Sequence, residues 1–131
     1  CTTYTSVSPD NPQEARVCFP DASVPYQGQP YVVDEYGGTW WVDGGDGGTD
    51  RDAGWGYGNR PATIDEVYAR IEALTAVLTA HPHIAGYTYT QLTDIEQEQN
   101  GIYTYDRQAK FDTARLKATF GAPAAIETKA P

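Results

Sequence analysis

The strongest constraint on the fold is a helix signal placed between two strand signals. Thr63-Ile-Asp-Glu66 has the form of a capping box, in which the first and fourth residues satisfy backbone groups at a helix start. The apolar residues that follow recur at helical spacing, which predicts one buried stripe: Ile64, Val67, Tyr68, Ile71, Leu74, Val77 and Leu78. Because the residue before a proline disfavours the helical region, His81-Pro82 is expected to end the helix.

Segments rich in strand-forming residues flank this helix. Residues 30–36 contain the continuous apolar run Tyr31-Val32-Val33, which is typical of a strand covered on both faces. Residues 84–91 (IAGYTYTQ) predict a second strand. A last helix is expected from Asp112, a good N-cap, to Gly121. The order strand, helix, strand, helix indicates an α/β protein with parallel strands and a right-handed crossover.

The chain has 131 residues, which favours one domain over 1–131. Residues 1–29 contain four prolines and are expected to be loop-rich, 30–121 form the βαβα unit, and 122–131 form a tail. Within the unit, residues 42–61 are a Gly- and Asp-rich segment and are expected to be an exposed loop. Because two strands do not make a stable sheet, the chain is expected to belong to a larger α/β structure.

Charge and composition exclude some classes of partner. The net charge is −9, which argues against binding to nucleic acid or to an anionic membrane. No apolar run reaches the roughly 18 residues of a membrane span, and we expect no signal peptide in this sequence. The chain begins at Cys1 and has no Met, so we expect a processed protein or a piece of a longer one. Cys1 and Cys18 can pair, but free thiols are favoured, which slightly favours the cytoplasm.

Two carboxylates, Asp34 and Glu35, end the first predicted strand. In α/β proteins the active site lies at the carboxyl ends of the strands. A carboxylate held there is rigid and partly desolvated, as a nucleophile or general acid requires. Gly37-Gly38 leave room for a ligand. Nearby aromatic residues offer flat faces to a sugar ring, namely Trp40, Trp41, Trp55 and Tyr57. On these local grounds, catalysis and a structural role for Glu35 (a helix cap or an Arg partner) both stay open.

Two other groups of residues contain side chains that can bind metal ions, but we do not favour a metal site at either. Asp43, Asp46 and Asp50 lie on a flexible loop, but their spacing does not match an EF-hand. His81 and His83 flank a proline without an evident third ligand. We therefore expect no metal and no other cofactor.

Longer motifs carry a resemblance to a known family. The stretches DEYGGTWW, WGYG and IAGYTYTQLTDIEQEQNGIYTYDRQAKFD resemble the end of the catalytic barrel in glycoside hydrolase family 2, the group of β-galactosidases and β-glucuronidases. The resemblance covers about residues 26–115. It implies that this chain is the C-terminal segment of a (β/α)8 TIM barrel, about strands 6/7 to 8 with their helices, and incomplete as a barrel.

The resemblance also implies functional residues. Glu35 corresponds to the nucleophile of a retaining mechanism, at the end of the seventh barrel strand. Residues at the ends of the two strands and on the aromatic loop are expected to bind the substrate: Tyr36, Trp40, Trp41, Trp55, Gln91 and Asp94. The expected partners are a carbohydrate substrate and the remainder of the barrel or other protein chains.

A retaining glycosidase needs a second carboxyl group about 5 Å from the nucleophile, to act as acid and base. The family's acid/base follows an Asn on the fourth strand, and this chain has no Asn-Glu pair. Either the second carboxylate lies outside this chain, which we favour, or Asp94, Glu96 or Glu98 supplies it. Those three acids fall in a polar loop that is expected to be solvated, which gives a carboxyl no reason to keep its proton.

Two functional classes follow. The chain is either part of a retaining glycoside hydrolase that cleaves β-glycosides and is inactive alone, or a non-catalytic carbohydrate-binding or interaction module. A further possibility is that the open strand edges pair with other copies or chains.

Overall fold

The computed structural model describes residues 27–42 and 54–128. The described elements are β1 (Tyr31–Gly37), α1 (Ile64–Ala80), β2 (Ile84–Thr90), α2 (Thr113–Phe120) and a 3₁₀-helix (Ala125–Thr128). The predicted order of strands and helices is therefore confirmed. Several predictions lie outside the described residues, namely most of the loop-rich first segment, the pairing of Cys1 and Cys18, and the Asp43, Asp46 and Asp50 loop.

The two strands form a parallel sheet, as predicted. Their register is irregular, and the shift between Val33 and Tyr36 affects the acidic pair Asp34-Glu35. Val33 pairs with Tyr87 and Tyr36 pairs with Tyr89, so that three residue steps on β1 match two on β2. The extra residue forms a bulge at Asp34-Glu35. Because of it, Val33 and Tyr36 are both buried although they are three residues apart.

One face of β1 differs from the prediction of burial on both sides. Val32 is 56% exposed, whereas Val33 and Tyr36 are buried against Leu74 and Leu78 of α1. In the described part of the chain, α1 covers one face of this strand only, and the apolar side chain of Val32 is left in contact with solvent.

Helix α1 begins as its sequence predicts. The side chain of Thr63 accepts a hydrogen bond from the Glu66 backbone N–H at 3.2 Å. The Glu66 carboxylate bonds back to the N–H of Ala62, at 2.7 Å, one residue earlier than an ideal capping box would place it. The helix ends before His81, whose N–H donates to the Leu78 carbonyl.

The buried face of α1 is shifted from the predicted stripe. Val77 is 46% exposed, while Thr75 and Thr79 are buried. The two threonine hydroxyls donate to the carbonyls of Ile71 and Thr75, one turn earlier, which satisfies them inside the protein. An apolar pattern alone therefore misplaced one edge of the helix face, because threonine can be buried when its hydroxyl bonds to the backbone.

Helix α2 starts at the predicted cap. The Asp112 carboxylate accepts hydrogen bonds from the N–H groups of Ala114 and Arg115. Leu116 joins the part of the core that contains Val67, Ile71 and Phe111. The predicted tail is not entirely irregular, since its described part contains the short 3₁₀-helix at Ala125–Thr128.

Within residues 27–42 and 54–128, the sheet has two strands. The assignment of the chain to a (β/α)8 barrel therefore stays a prediction. No helix in these two ranges is long and apolar enough to cross a membrane.

Candidate functional site

The candidate site lies where the two parallel strands end. Gly37 is the register partner of Thr90, and the Gly38 N–H donates to the Thr90 carbonyl at 2.8 Å. Glu35 lies in the bulge just before this edge, and both it and Asp34 are exposed. The bulge lets the two residues on either side of the acidic pair face the core. The acidic pair itself is left on the accessible side of the strand.

Glu35 is held by a residue that is far away in sequence. The Tyr57 hydroxyl donates a hydrogen bond to the Glu35 carboxylate. This bond is the main cause that raises the pKa of Tyr57 to about 12, with burial and the nearby Glu98 as further causes. Tyr57 therefore stays a hydrogen-bond donor at neutral pH. Its backbone is fixed as well, since the Tyr57 N–H donates to the Gly38 carbonyl at 2.7 Å.

Gly38 allows this close approach. Its φ is +62°, and a Cβ at this position would lie 2.2 Å from the Tyr57 ring. Gly37 is similar, with a φ of +91° and the Tyr89 ring 2.3 Å from an added Cβ. The two glycines thus pack aromatic rings directly against the backbone at the strand end.

Trp55 is the most accessible of the predicted aromatic residues at the site. Its side chain is 50% exposed. Its backbone pairs with the loop after β2: the Trp55 N–H donates to the Gln97 carbonyl at 2.8 Å, and the Gln99 N–H donates to the Trp55 carbonyl at 3.0 Å. Trp55 is also bridged to Glu98. An aromatic face and two carboxylates are therefore brought to the same edge of the sheet.

The other two predicted tryptophans are more enclosed. Trp40 is half-buried, with the Arg60 guanidinium 4.8 Å above its ring. Trp41 packs against the core cluster of α1 and α2, and its indole nitrogen is buried without a hydrogen-bond partner among the described residues. The structure therefore presents Trp55, and not Trp41, as an open aromatic surface.

Tyr36 and Gln91 were both predicted to bind substrate, but their surroundings differ from each other. Tyr36 is buried, and its hydroxyl is 2.9 Å from the Thr75 hydroxyl of α1. Burial is the main reason that the pKa of Tyr36 is raised to about 12. Its side chain thus serves the core in this structure. Gln91 is half-buried directly after β2, and its side-chain nitrogen has no hydrogen-bond partner in the described ranges.

Asp94 corrects the expectation of a merely solvated loop. Its carboxylate is 2.8 Å from the Nζ of Lys110, and the two side chains are only 14% and 2% exposed. The Asp94 carboxylate also accepts a hydrogen bond from the Gly101 N–H at 2.8 Å. The loop folds around this ion pair, and Asn100 donates to the Glu98 carboxylate within it, while Leu92 and residues 95–97 are exposed. The structure thus gives Asp94 internal contacts in place of an open face.

The core of the same edge is polar. Thr39 and Asn100 are almost completely buried, and an oxygen of each has no hydrogen-bond partner within the described residues. Burial raises the pKa of the Tyr89 hydroxyl, which lies near Thr39. Buried polar groups are costly unless they are satisfied, so this edge is built for polar contacts and not only for packing.

A metal centre has no support in the part of the chain that the structure describes, where no group of three His, Cys, Asp or Glu could hold an ion. His81 and His83 contact each other at the end of α1, with ring centres 5.7 Å apart. They lie before the start of β2, at the opposite end of that strand from the candidate site.

Comparison of the chain with protein-family models finds no matching family, and comparison with curated proteins finds no matching relative.

From the sequence, Tyr57 was expected only as an aromatic face, and Lys110 was not expected at the site. The signal for Tyr57 was weak, because 22 residues separate it from Glu35. The signal for Lys110 was also weak: it precedes the buried Phe111, but its partner Asp94 lies 16 residues earlier.

Proposed function

We propose that this chain is part of a retaining glycoside hydrolase in which Glu35 is the nucleophile. The observation that carries the proposal is the presentation of Glu35 at the carboxyl edge of a parallel sheet, with Tyr57 bonded to its carboxylate. The motifs that resemble glycoside hydrolase family 2 add the reaction class and the expectation that β1 and β2 are the seventh and eighth strands of a barrel.

In this reaction the Glu35 carboxylate attacks the anomeric carbon of a β-glycoside, and the leaving-group oxygen takes a proton from a second carboxyl group. Water then hydrolyses the covalent glycosyl-enzyme, with the second group now acting as a base. Tyr57 orients the attacking carboxylate through its hydrogen bond. Trp55 offers an exposed ring to the apolar face of a sugar.

The second carboxylate is proposed to lie outside this chain. On the loop after β2, the Asp94 carboxylate is already bonded to Lys110 and Gly101. Glu98 is close enough to Tyr57 to raise its pKa, so it is the best alternative within the chain. Its side chain bonds to the amide of Asn100 at 3.0 Å.

A mechanism-based fluoro-glycoside tests the proposal on the full-length protein. We expect a covalent adduct on Glu35, found by mass spectrometry of peptides. Glu35→Gln is expected to lower kcat by more than about 1,000-fold, as removal of a nucleophile does. Asp34→Asn is the matched control, because it neutralises the adjacent exposed carboxylate. Labelling at another residue would overturn the role of Glu35.

The exposed ring of Trp55 beside carboxylates also favours the second candidate, a carbohydrate-binding module without catalysis. Titration with simple β-glycosides separates the two functions. Binding that persists in Glu35→Gln, together with no hydrolysis by the full-length protein, would favour the binding module. Loss of binding in Trp55→Ala is expected for both.

A further inference from the structure

We propose that Lys110 is a positioning residue that holds Tyr57 against Glu35 through the loop after β2. We call residues 91–103 the strand-end loop. The consequences of this inference for activity rest on the proposed function, whereas its consequences for the position of Tyr57 do not.

Lys110 is placed as a buried cation. Its side chain is 2% exposed, and its Nζ lies 2.8 and 3.0 Å from the two oxygens of Asp94. The Nζ also donates to the carbonyl of Gln99 at 3.0 Å. A buried ammonium group is tolerated only when it is paired and hydrogen-bonded, so these contacts fix where the lysine and its acceptors must lie.

The Asp94 carboxylate, which is fixed by Lys110, is also hydrogen-bonded within the strand-end loop. It accepts the Gly101 N–H at 2.8 Å, while the Asp94 N–H donates to the Tyr103 carbonyl at 2.9 Å. Packing at this point is tight, since a Cβ on Gly101 would lie 2.3 Å from the Asp94 nitrogen. The two ends of the loop are therefore held together by the Asp94–Gly101 hydrogen bond and by backbone hydrogen bonds, and Lys110 binds the loop at Asp94 and Gln99.

The Gln99 carbonyl connects the loop to the candidate site. It accepts hydrogen bonds from both the Lys110 Nζ and the Trp41 N–H, each at 3.0 Å. The N–H of the same residue donates to the Trp55 carbonyl. The Gln99 carbonyl thus contacts Lys110 and the segment after β1 that carries Trp41, and the Gln99 N–H contacts the segment that carries Trp55.

Tyr57 follows Trp55 by two residues. Its position depends on the Trp55 backbone pairing with the loop and on its own bond to Gly38. Loss of the Lys110 ammonium would leave the Asp94 carboxylate and the Gln99 carbonyl without this donor. The loop would then rearrange, and the Trp55–Tyr57 segment paired with it would shift. Lys110 acts on Tyr57 through this contiguous network.

The test is the NMR signal of Tyr57 in full-length protein with ¹³Cζ-labelled tyrosine. This carbon reports whether the phenol donates to a carboxylate. Tyr57→Phe identifies the signal among the ten tyrosines, and Glu35→Gln shows the direction of its shift when the carboxylate is replaced. We expect Lys110→Met to move the signal in that direction and Lys110→Arg to restore it in part.

A matched control separates positioning from general destabilisation. Leu78 is buried at the end of α1, in the core cluster that contains Ile84 at the start of β2. Leu78→Ala is expected to lower Tm without moving the Tyr57 signal. Asp94→Asn removes the charge on the other side of the ion pair and keeps its shape. If Lys110→Met does not fold, a shifted Tyr57 signal in Asp94→Asn supports the proposal, and an unshifted one overturns it.

An activity measurement separates this inference from the proposed function. Displacement of a catalytic group by about 1 Å can cost about 100-fold in rate, so we expect Lys110→Met to lower kcat by about that factor and to change KM little. An unshifted Tyr57 signal in folded Lys110→Met would overturn the inference even if the wild type is a glycosidase. A shifted signal in a protein that hydrolyses no glycoside would uphold it and count against the proposed function.

Discussion

At position 38 the backbone has a φ of +62°, and a Cβ added there would lie 2.2 Å from the Tyr57 ring. Both facts make glycine necessary at this residue. Any side chain would strain the backbone and push the ring that donates to Glu35.

Gly38→Ala is expected to destabilise the protein by about 1–3 kcal/mol, since overpacking and an unfavourable φ act together. It should also separate Tyr57 from Glu35. Gly86→Ala is the matched control, because an added Cβ there has its nearest neighbours at 3.8 Å. Thermal unfolding measures the loss of stability in each of the two variants. Equal Tm values for the two variants would contradict the predicted contact.

The pKa of Tyr36 predicts how stability depends on pH. Burial raises this pKa from 10.0 to about 12, so the folded state keeps a proton that the unfolded state loses. The stabilising contribution is complete below pH 10 and is lost as the pH rises towards 12. Tyr57, whose pKa is raised to a similar value by its bond to Glu35, acts in the same direction.

We therefore expect the free energy of unfolding in urea to be nearly constant up to about pH 9 and to fall between about pH 10 and 12. Tyr36→Phe should make this fall smaller. Tyr105→Phe, at a side chain that is 69% exposed, is the control and should leave the slope unchanged. A wild-type stability that increases over this range would show the sign to be wrong.

At the scale of single elements, α1 allows a test of the corrected helix face. Ile71 is completely buried and Val77 is 46% exposed, although both belong to the apolar stripe that the sequence predicted. Ile71→Ala is expected to cost about 2–5 kcal/mol, because it removes buried surface and leaves a cavity. Val77→Ala should change stability by no more than about 0.5 kcal/mol. Urea unfolding measures the free energy of unfolding of both variants. Similar losses for Ile71→Ala and Val77→Ala would contradict the buried face described for α1.

The helices were easier to predict than the geometry of the strands. The caps at Thr63 and Asp112 depend on side chains that bond within three residues, so local sequence is enough to identify them. The bulge at Asp34-Glu35 depends on how β1 aligns with β2, about fifty residues later in the chain. No pattern within β1 contains that information.

At the scale of the whole molecule, the open sheet is the feature with the clearest consequence. The described residues form a two-stranded parallel sheet, and such a sheet is not expected to be stable alone. Val32, which is 56% exposed on β1, adds an apolar surface next to an open edge. Exposed strands of this kind favour association with other chains.

We expect the 131-residue chain by itself to associate, with a mass in light scattering above the 14.3 kDa of one copy. Val32→Lys should shift the distribution towards the monomer, because a charge on this face opposes burial. Val77→Lys on the exposed side of α1 is the matched control and should have little effect. A clean monomer for the unchanged chain would contradict the prediction.

The order of the elements, the ends of both helices, the parallel pairing of the strands and the place of Glu35 near a strand end could all be predicted from the sequence. These features follow from side chains and backbone groups that are close along the chain. The assignment of Tyr36 and Asp94 to substrate binding came from the family resemblance and stays a prediction, and their contacts with Thr75 and Lys110 could not be read from the chain.

The contacts between distant groups at the strand ends could be identified only in the folded molecule. The Tyr57 hydroxyl reaches Glu35 across 22 residues, and Lys110 reaches Asp94 across 16. Both contacts depend on how the intervening loops fold back on the sheet, and this is set by steric fit and by the pairing of buried polar groups throughout the molecule. Glu35 was visible in the sequence as a carboxylate at a strand end, and the fold supplies the neighbours that orient it.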